Sequence, residues 1–185
     1  MLVGHSQGGL DARWLVSRLG YAERVKAVIT IAAPHRGTQV ADVALGLIPG
    51  PVEDAADVLL SVLGWSLDGA REVTTGYMQS TFNPTVPDAP GVAYASFIGR
   101  ASPLGLERGT GWLHAPLLPT WTLLQALHLD SDGIVPAASQ RWGTVWGEVP
   151  ADHLGEVNQP LGETPGFHAL SFWTQLLQRL HDEGY

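Results

Sequence analysis

Two apolar stretches enclose an amphipathic one at the start of the chain. Residues 1–3 have the character of the end of a buried strand, and residues 25–33 (VKAVITIAA) are β-branched and almost uncharged, as in strands of parallel sheets. Between them, residues 10–19 carry apolar side chains at helical spacing. A strand, a helix and a second strand form a βαβ unit, which predicts an α/β fold.

The remainder of the chain repeats this alternation of apolar and amphipathic stretches. Residues 92–98 predict another buried strand, residues 121–129 a short helix, and residues 167–180 a closing helix with one apolar face. Neither an internal repeat nor a domain boundary is visible. We therefore expect one domain that spans residues 1–185.

The stretch from residue 43 to residue 67 has a different pattern. Pro51 suits the first turn of a helix, and the acidic residues that follow it favour a helix start. The apolar residues beyond them cover more of the helix than one core-facing stripe requires. Two interpretations fit this pattern: a helix that is buried on several sides, or a mobile amphipathic lid. The apolar residues concerned are Val58, Leu59, Leu60, Val62, Leu63, Trp65 and Leu67.

Composition excludes several classes of function. The 185 residues include 18 Asp and Glu against 10 Lys and Arg, a net charge of −8, and no basic cluster that would indicate nucleic-acid binding. No apolar run approaches the roughly 20 residues of a membrane span. Because the chain has no cysteine, disulfides, thiolate catalysis and cysteine-based metal sites are excluded. The composition does not identify a cellular compartment.

The segment Gly4-His5-Ser6-Gln7-Gly8 fits the pattern G-x-S-x-G of a nucleophile elbow. In such an elbow the serine occupies a strained turn between a strand and a helix, where small neighbours are needed. The N-terminus of the helix stabilises negative charge, and the backbone N–H of Gln7 can donate to an oxyanion. The sequence context therefore predicts that Ser6 is a nucleophile.

A nucleophilic serine needs a base, and the base needs a carboxylate that orients it. Behind this kind of elbow the chain order is serine, acid, histidine, which places His5 and His35 too early. His153 is the preferred base, because it lies in a loop between predicted elements. Asp132 is the preferred acid, Asp130 is its rival, and a turn-capping role is open for both.

These residues resemble the Pseudomonas-type bacterial triacylglycerol lipases of the α/β-hydrolase superfamily, and the resemblance runs from Met1 nearly to Tyr185. It implies that Ser6 is the nucleophile, Asp132 the acid and His153 the base. It also implies hydrolysis of lipid esters at a lipid–water interface, and a lid over 52–67 within an insertion at about 46–70. The similar stretches are GHSQGG at 4–9, TIAAPHRGTQVAD at 30–42, TTGYMQSTFN at 74–83, SDGIVP at 131–136 and DHLGEVNQPLG at 152–162.

The chain departs from this family before the elbow. The family has further strands there, and a His-Gly loop that supplies a second oxyanion donor, whereas His-Gly occurs nowhere in this sequence. We therefore expect the C-terminal portion of an α/β-hydrolase fold, a mostly parallel sheet with flanking helices and a helical lid. Without the His-Gly loop, the backbone N–H of Gln7 is the one oxyanion donor that the sequence identifies. We further expect incomplete cover of the sheet, with poor burial of Trp14, Val28 and Ile31. We also expect these residues alone to have weak activity.

The calcium site of the family is altered as well. The resemblance would place one aspartate near Thr110–Leu113 and another at Gly155, and neither place holds an acid. Asn158, Gln159 and Glu163 remain nearby, but calcium needs about six oxygen ligands with carboxylate charge among them. We therefore expect no metal and no other cofactor.

Other functions remain open at this stage. A small or absent lid would favour a short-chain carboxylesterase or an acyltransferase. A chain without half of its sheet would be a catalytically impaired fragment or an association module. The resemblance implies secretion, whereas the residues themselves leave the compartment, the acyl-chain preference and the oligomeric state undetermined.

Overall fold

A four-stranded sheet lies at the centre of the computed structural model, which describes residues 1–159 and 164–185. The strand order is β1-β2-β3-β6, and every neighbouring pair is parallel. Two short strands, β4 and β5, form a separate parallel pair. The strands are β1 (Leu2–His5), β2 (Ala27–Ile31), β3 (Ala93–Gly99), β4 (Ala101–Ser102), β5 (Gly111–Trp112) and β6 (Thr144–Val149).

Helices flank the sheet on both faces. The α-helices are α1 (Gln7–Arg18), α2 (Gln39–Ala44), α3 (Val52–Asp57), α4 (Leu67–Glu72), α5 (Thr75–Tyr77), α6 (Asn83–Thr85), α7 (Leu118–Ala126), α8 (Ala137–Gln140) and α9 (Ala169–Asp182). Two π-helical stretches, Val58–Val62 and Met78–Phe82, continue α3 and α5. The predicted α/β arrangement of parallel strands and flanking helices is confirmed.

The central strand β2 is covered on both faces, and all five of its residues are buried. Val28 packs against α1, and Ile31 packs in the cluster that includes Leu176 and Leu180 of α9. Both side chains are fully buried, so the expectation that they would be poorly buried is wrong. The physical reason is that α1 and α9 supply a helix for each face from within this chain. Trp14, on α1, is 41% exposed, as expected.

Strand β6 is absent from the sequence-based prediction. Its residues are mostly exposed or half-buried, and Gly147 interrupts the β-branched pattern that marks a strand. The pairing with β3 also shifts register between Ser96 and Phe97, where Trp146 is bypassed. An edge strand with an irregular register has no continuous apolar run for sequence reasoning to detect.

The segment predicted as a lid is helical only in its first part. The helix runs through α3 and the π-helical stretch and stops at Val62. Gly64 then adopts a positive φ of 69°, and Ser66 caps the start of α4 by accepting a hydrogen bond from Gly69 N. The chain therefore breaks between Val62 and Leu67, so the prediction of one helix from residue 52 to residue 67 is wrong.

A buried arginine connects four parts of the fold. The guanidinium of Arg13, on α1, donates to His35 Nδ1 at 3.2 Å, Asn83 Oδ1 at 3.0 Å and Val86 O at 3.0 Å. Its Cζ atom lies 3.6 Å from the centre of a Trp142 ring, a cation–π distance. Burial lowers the pKa of Arg13 to about 10, so the group stays charged at neutral pH.

Removing this cation should destabilise the fold strongly. In Arg13→Met, three neutral acceptors lose their donor, and each buried acceptor that is left unsatisfied costs about 1–3 kcal/mol. Urea unfolding of the protein measures this loss. Arg18→Met is the matched control, because Arg18 is exposed on the same helix and surface changes stay within about 0.5 kcal/mol. Equal stability of the two variants would contradict a structural role for Arg13.

Candidate active site

Ser6 lies at the turn between β1 and α1 in a conformation that few residues adopt. Its φ is 54° and its ψ is −133°, and such strain persists only where the surroundings enforce it. Ser6 N donates to Ile31 O at 2.9 Å, which ties the turn to β2. A Cβ at Gly4 would overlap the backbone of Gly8, and one at Gly9 would lie 2.7 Å from Ala33 Cβ. Close packing therefore requires glycine at positions 4 and 9, whereas a Cβ at Gly8 would meet no neighbour.

The structure brings the predicted nucleophile, base and acid into one line of hydrogen bonds. Ser6 Oγ lies 2.8 Å from His153 Nε2, and His153 Nδ1 lies 2.8 Å from Asp132 Oδ2. His153 and Asp132 are buried, whereas Ser6 is half-buried. With Nδ1–H donating to the carboxylate, Nε2 is free to accept the proton of the serine hydroxyl.

The carboxylate of Asp132 is fixed on its other side. Asp132 Oδ1 accepts hydrogen bonds from the backbone N–H groups of Ile134, at 2.9 Å, and Val135, at 2.7 Å. The rival acid Asp130 is directed elsewhere, since its side chain is 61% exposed and pairs with Arg100 at 2.6 Å. Of the two aspartates in this turn, Asp132 is therefore the one that contacts His153.

Two buried residues that sequence reasoning missed hold the loop of His153. Asp152 Oδ2 lies 2.8 Å from His114 Nδ1, and Asp152 Oδ1 accepts from Gly155 N at 2.8 Å. His153 N donates to Asp132 O at 3.0 Å. Because Asp152 and His114 are 38 positions apart, no local pattern in the sequence could reveal their contact.

A second histidine–carboxylate pair lies beside His153. His5 Nε2 is 3.0 Å from Glu156 Oε2, and the rings of His5 and His153 are 4.6 Å apart between centres. Glu156 is completely buried. A Cβ at Gly99 would overlap Glu156 Oε1, so glycine is needed there to make room for the carboxyl group. In the sequence, the position of His5 directly before Ser6 was the feature that could have pointed to this pair.

The segment from Val58 to Trp65 closes one side of the cavity at Ser6. Val58 and Leu59 are buried in the core beneath it, and Leu60 is 40% exposed. The predicted lid residues therefore divide among the core, the surface and the cavity. The cavity has a volume of about 140 Å³ and is lined by His5, Ser6, Val62, Leu63, Trp65, His153, Leu154, Val157 and Gln159.

Gln7 is the first residue of α1. Its N–H therefore belongs to the first turn, whose N–H groups have no partner within the helix. The N-terminal end of a helix favours negative charge. This position agrees with the predicted use of Gln7 as a donor to an oxyanion next to Ser6.

The residues present do not fit the calcium site that the resemblance implies. A Cβ at Gly155 would overlap Thr164 Oγ1, so there is no room for a carboxylate at this position. Asn158 and Gln159 are exposed, and Glu163 lies outside the described residues. Within residues 1–159 and 164–185, the two positions where the family would hold the ion therefore offer no pair of carboxylates.

Sheet, elbow and flanking helices together define an α/β-hydrolase fold, and comparisons with known proteins agree. The family described as palmitoyl protein thioesterase matches residues 1–85. Triacylglycerol lipase 2 of Saccharomyces cerevisiae is 29% identical over 161 residues, which cover 85% of this chain and 45% of the yeast protein. The chain thus spans less than half the length of that curated relative.

Solved structures give the same picture. The mature form of the Bacillus licheniformis lipase BlEst2 superposes with a TM-score of 0.63 at 26% identity, covering 82% of this chain and 57% of that one. The Staphylococcus hyicus lipase superposes with a TM-score of 0.65 at 16% identity, covering 98% of this chain and 70% of that one. At this low identity the likeness supports only the fold. The three individual proteins named here are lipases, whereas the assignment of this chain to the Pseudomonas-type group stays a prediction. Among the described residues, no helix is both long and apolar enough to cross a bilayer.

Proposed function

We propose that this protein is a serine hydrolase that cleaves carboxylic esters of lipids, in the manner of a Pseudomonas-type triacylglycerol lipase. The observation that carries the proposal is the line of two 2.8 Å contacts from Ser6 through His153 to Asp132. This is the geometry that activates a serine hydroxyl. The strained elbow of Ser6 supports the same role.

The reaction follows from this geometry. His153 Nε2 takes the proton of Ser6 as Oγ attacks the ester carbonyl, and Asp132 stabilises the imidazolium that forms. The Gln7 N–H donates to the oxyanion of the tetrahedral intermediate. The imidazolium then protonates the leaving alcohol, and an acyl-enzyme remains on Ser6. Water, deprotonated by His153, attacks this acyl group and releases the fatty acid.

The walls of the cavity support a lipid substrate. Val62, Leu63 and Trp65 present apolar groups opposite Ser6 and His153. Apolar side chains on one wall of a pocket suit contact with an acyl chain. Outward movement of this segment would enlarge the cavity and expose apolar surface to a lipid–water interface. The proposed chemistry needs no metal and no organic cofactor, because nucleophile, base and orienting acid are all protein groups.

A short-chain carboxylesterase is the second candidate. The observation in its favour is the small cavity of about 140 Å³, which leaves little space for a long acyl chain while the segment from Val58 to Trp65 stays in place. Burial of Val58 and Leu59 in the core would oppose movement of this segment.

One experiment tests the function and separates the two candidates. The protein is labelled with a fluorophosphonate, which reacts with activated serines, and the modified residue is located by mass spectrometry. Hydrolysis of acetate, butyrate, octanoate and palmitate esters is then measured below and above their solubility limits. We expect the label on Ser6 and higher activity on octanoate and palmitate above that limit.

Other outcomes of this experiment have defined meanings. Labelling of Ser6 with a preference for dissolved acetate and butyrate would indicate the short-chain esterase. Absence of label from Ser6 would contradict a serine-hydrolase function for this protein.

A further inference from the structure

The pair formed by His5 and Glu156 has no part in the proton transfer proposed above, yet it lies against the base. Glu156 is three positions after His153, in a 3₁₀ turn. Its backbone is held by Asp152, whose carbonyl accepts from Glu156 N at 3.0 Å, and by Trp173, whose Nε1 donates to Glu156 O at 3.0 Å. The carboxyl group therefore has a fixed position beneath the elbow.

The surroundings of this carboxyl group disfavour a negative charge. Burial raises the pKa of Glu156 well above its usual value, and the nearby carboxylates of Asp132 and Asp152 raise it further. Of these two, Asp152 contacts His114, and Asp132 contacts His153.

The partner ring is also held in its neutral form. Burial lowers the pKa of His5 well below its usual value, the neighbouring His153 lowers it further, and a hydrogen bond to the backbone of His153 opposes the shift. A neutral imidazole that carries its proton on Nδ1 has an acceptor at Nε2. The contact of 3.0 Å between His5 Nε2 and Glu156 Oε2 then requires a proton on the carboxyl group.

The second carboxyl oxygen gives independent support for this proton. Glu156 Oε1 is buried and has no hydrogen-bond partner in the described part of the chain. A carboxylate with one oxygen unpaired in the interior would be costly, because buried charges need compensating donors. The carbonyl oxygen of a neutral acid carries less charge than a carboxylate oxygen. Leaving this atom without a donor in the interior therefore costs less free energy when the acid is protonated.

We propose that Glu156 is a protonated carboxylic acid that donates to His5 Nε2 and thereby positions the neutral His5 ring against His153. In this arrangement Asp132 is the one carboxylate hydrogen-bonded to the base. A charged Glu156 would favour the imidazolium form of His153, which cannot accept the proton of Ser6. A charged His5 would oppose the imidazolium that forms during the reaction. Glu156 is thus a positioning residue, and this role rests on the function proposed for Ser6, His153 and Asp132.

Spectroscopy of the resting protein tests the protonation state without any turnover. We expect an infrared carbonyl band of a protonated carboxylic acid at neutral pH that disappears in Glu156→Gln and persists in Glu23→Gln, since Glu23 is exposed. Histidine-selective NMR should show His5 neutral, with its proton on Nδ1. Absence of the band, or a proton of His5 on Nε2, would overturn the proposal. Because these readouts need no substrate, their result is separable from a failure of the proposed function.

Kinetics test the positioning role. Glu156→Ala removes the donor and should lower kcat/KM by about tenfold, the effect of one lost buried hydrogen bond. Glu156→Gln keeps a neutral donor and should restore most of that loss, with the acid limb of the pH profile in its original place. A shift of this limb to lower pH in Glu156→Gln would show that Glu156 is normally charged, and would overturn the proposal. Should Glu156→Ala fail to fold, the glutamine variant alone decides the question.

Discussion

Replacing Ser6 with alanine should lower kcat on ester substrates by about 10⁶-fold, as removal of a triad serine does elsewhere. The reason is that no other hydroxyl group is shown within hydrogen-bond distance of His153 Nε2 in the described residues. Alanine and serine meet the same strain at a φ of 54°, so the fold should be retained. Circular dichroism and urea unfolding check the fold, and initial rates on a chromogenic octanoate ester measure the loss.

Ser171→Ala is the matched control for this variant. Ser171 is exposed on α9, which packs on the sheet, and it lies outside the cavity at Ser6. Its activity should equal that of the unaltered protein. A Ser6→Ala protein that keeps more than about a hundredth of the activity would exceed the residual catalysis expected without a nucleophile, and would place the reaction elsewhere.

The parts of the site that sequence could predict are those with local causes. The elbow at Ser6 is visible because glycines are required within a few positions of it, where the backbones of β1 and α1 approach each other. The acid precedes the histidine along the chain, which is the order that accompanies this class of nucleophile elbow. Spacing alone left Asp130 as a rival of Asp132, and the resemblance favoured Asp132. The structure adds that Asp130 is paired with Arg100.

The parts that sequence could not predict depend on distant contacts. His5 and Glu156 are 151 positions apart, and they meet only because the segments that follow β1 and β6 lie at the same carboxyl end of the parallel sheet. Strand β6 has no continuous apolar run, since it lies at an edge. The break in the lid segment depends on Gly64, whose positive φ has no signature beyond the glycine itself. In each case the missing information is tertiary.

The other large effect should come from Asp132→Asn, with a loss in kcat of about 10⁴-fold and little change in fold, as for the corresponding change in another triad. Oδ1 of Asp132 accepts from the N–H groups of Ile134 and Val135, so in the variant the amide oxygen should keep this place. The amide nitrogen must then face His153 Nδ1. Because this nitrogen can only donate, His153 adopts the tautomer with its proton on Nε2, which cannot accept the proton of Ser6.

Asp130→Asn is the control that separates this tautomer effect from a general effect of charge in the turn. Asp130 carries the same charge two positions away, but its side chain is 61% exposed and pairs with Arg100. We expect near-normal kcat for this variant, and histidine-selective NMR should show the altered tautomer of His153 only in Asp132→Asn. Equal losses in the two variants would mean that charge in this turn, rather than the hydrogen bond to Nδ1, supports the reaction. A large loss in Asp130→Asn alone would transfer the role of the acid to Asp130.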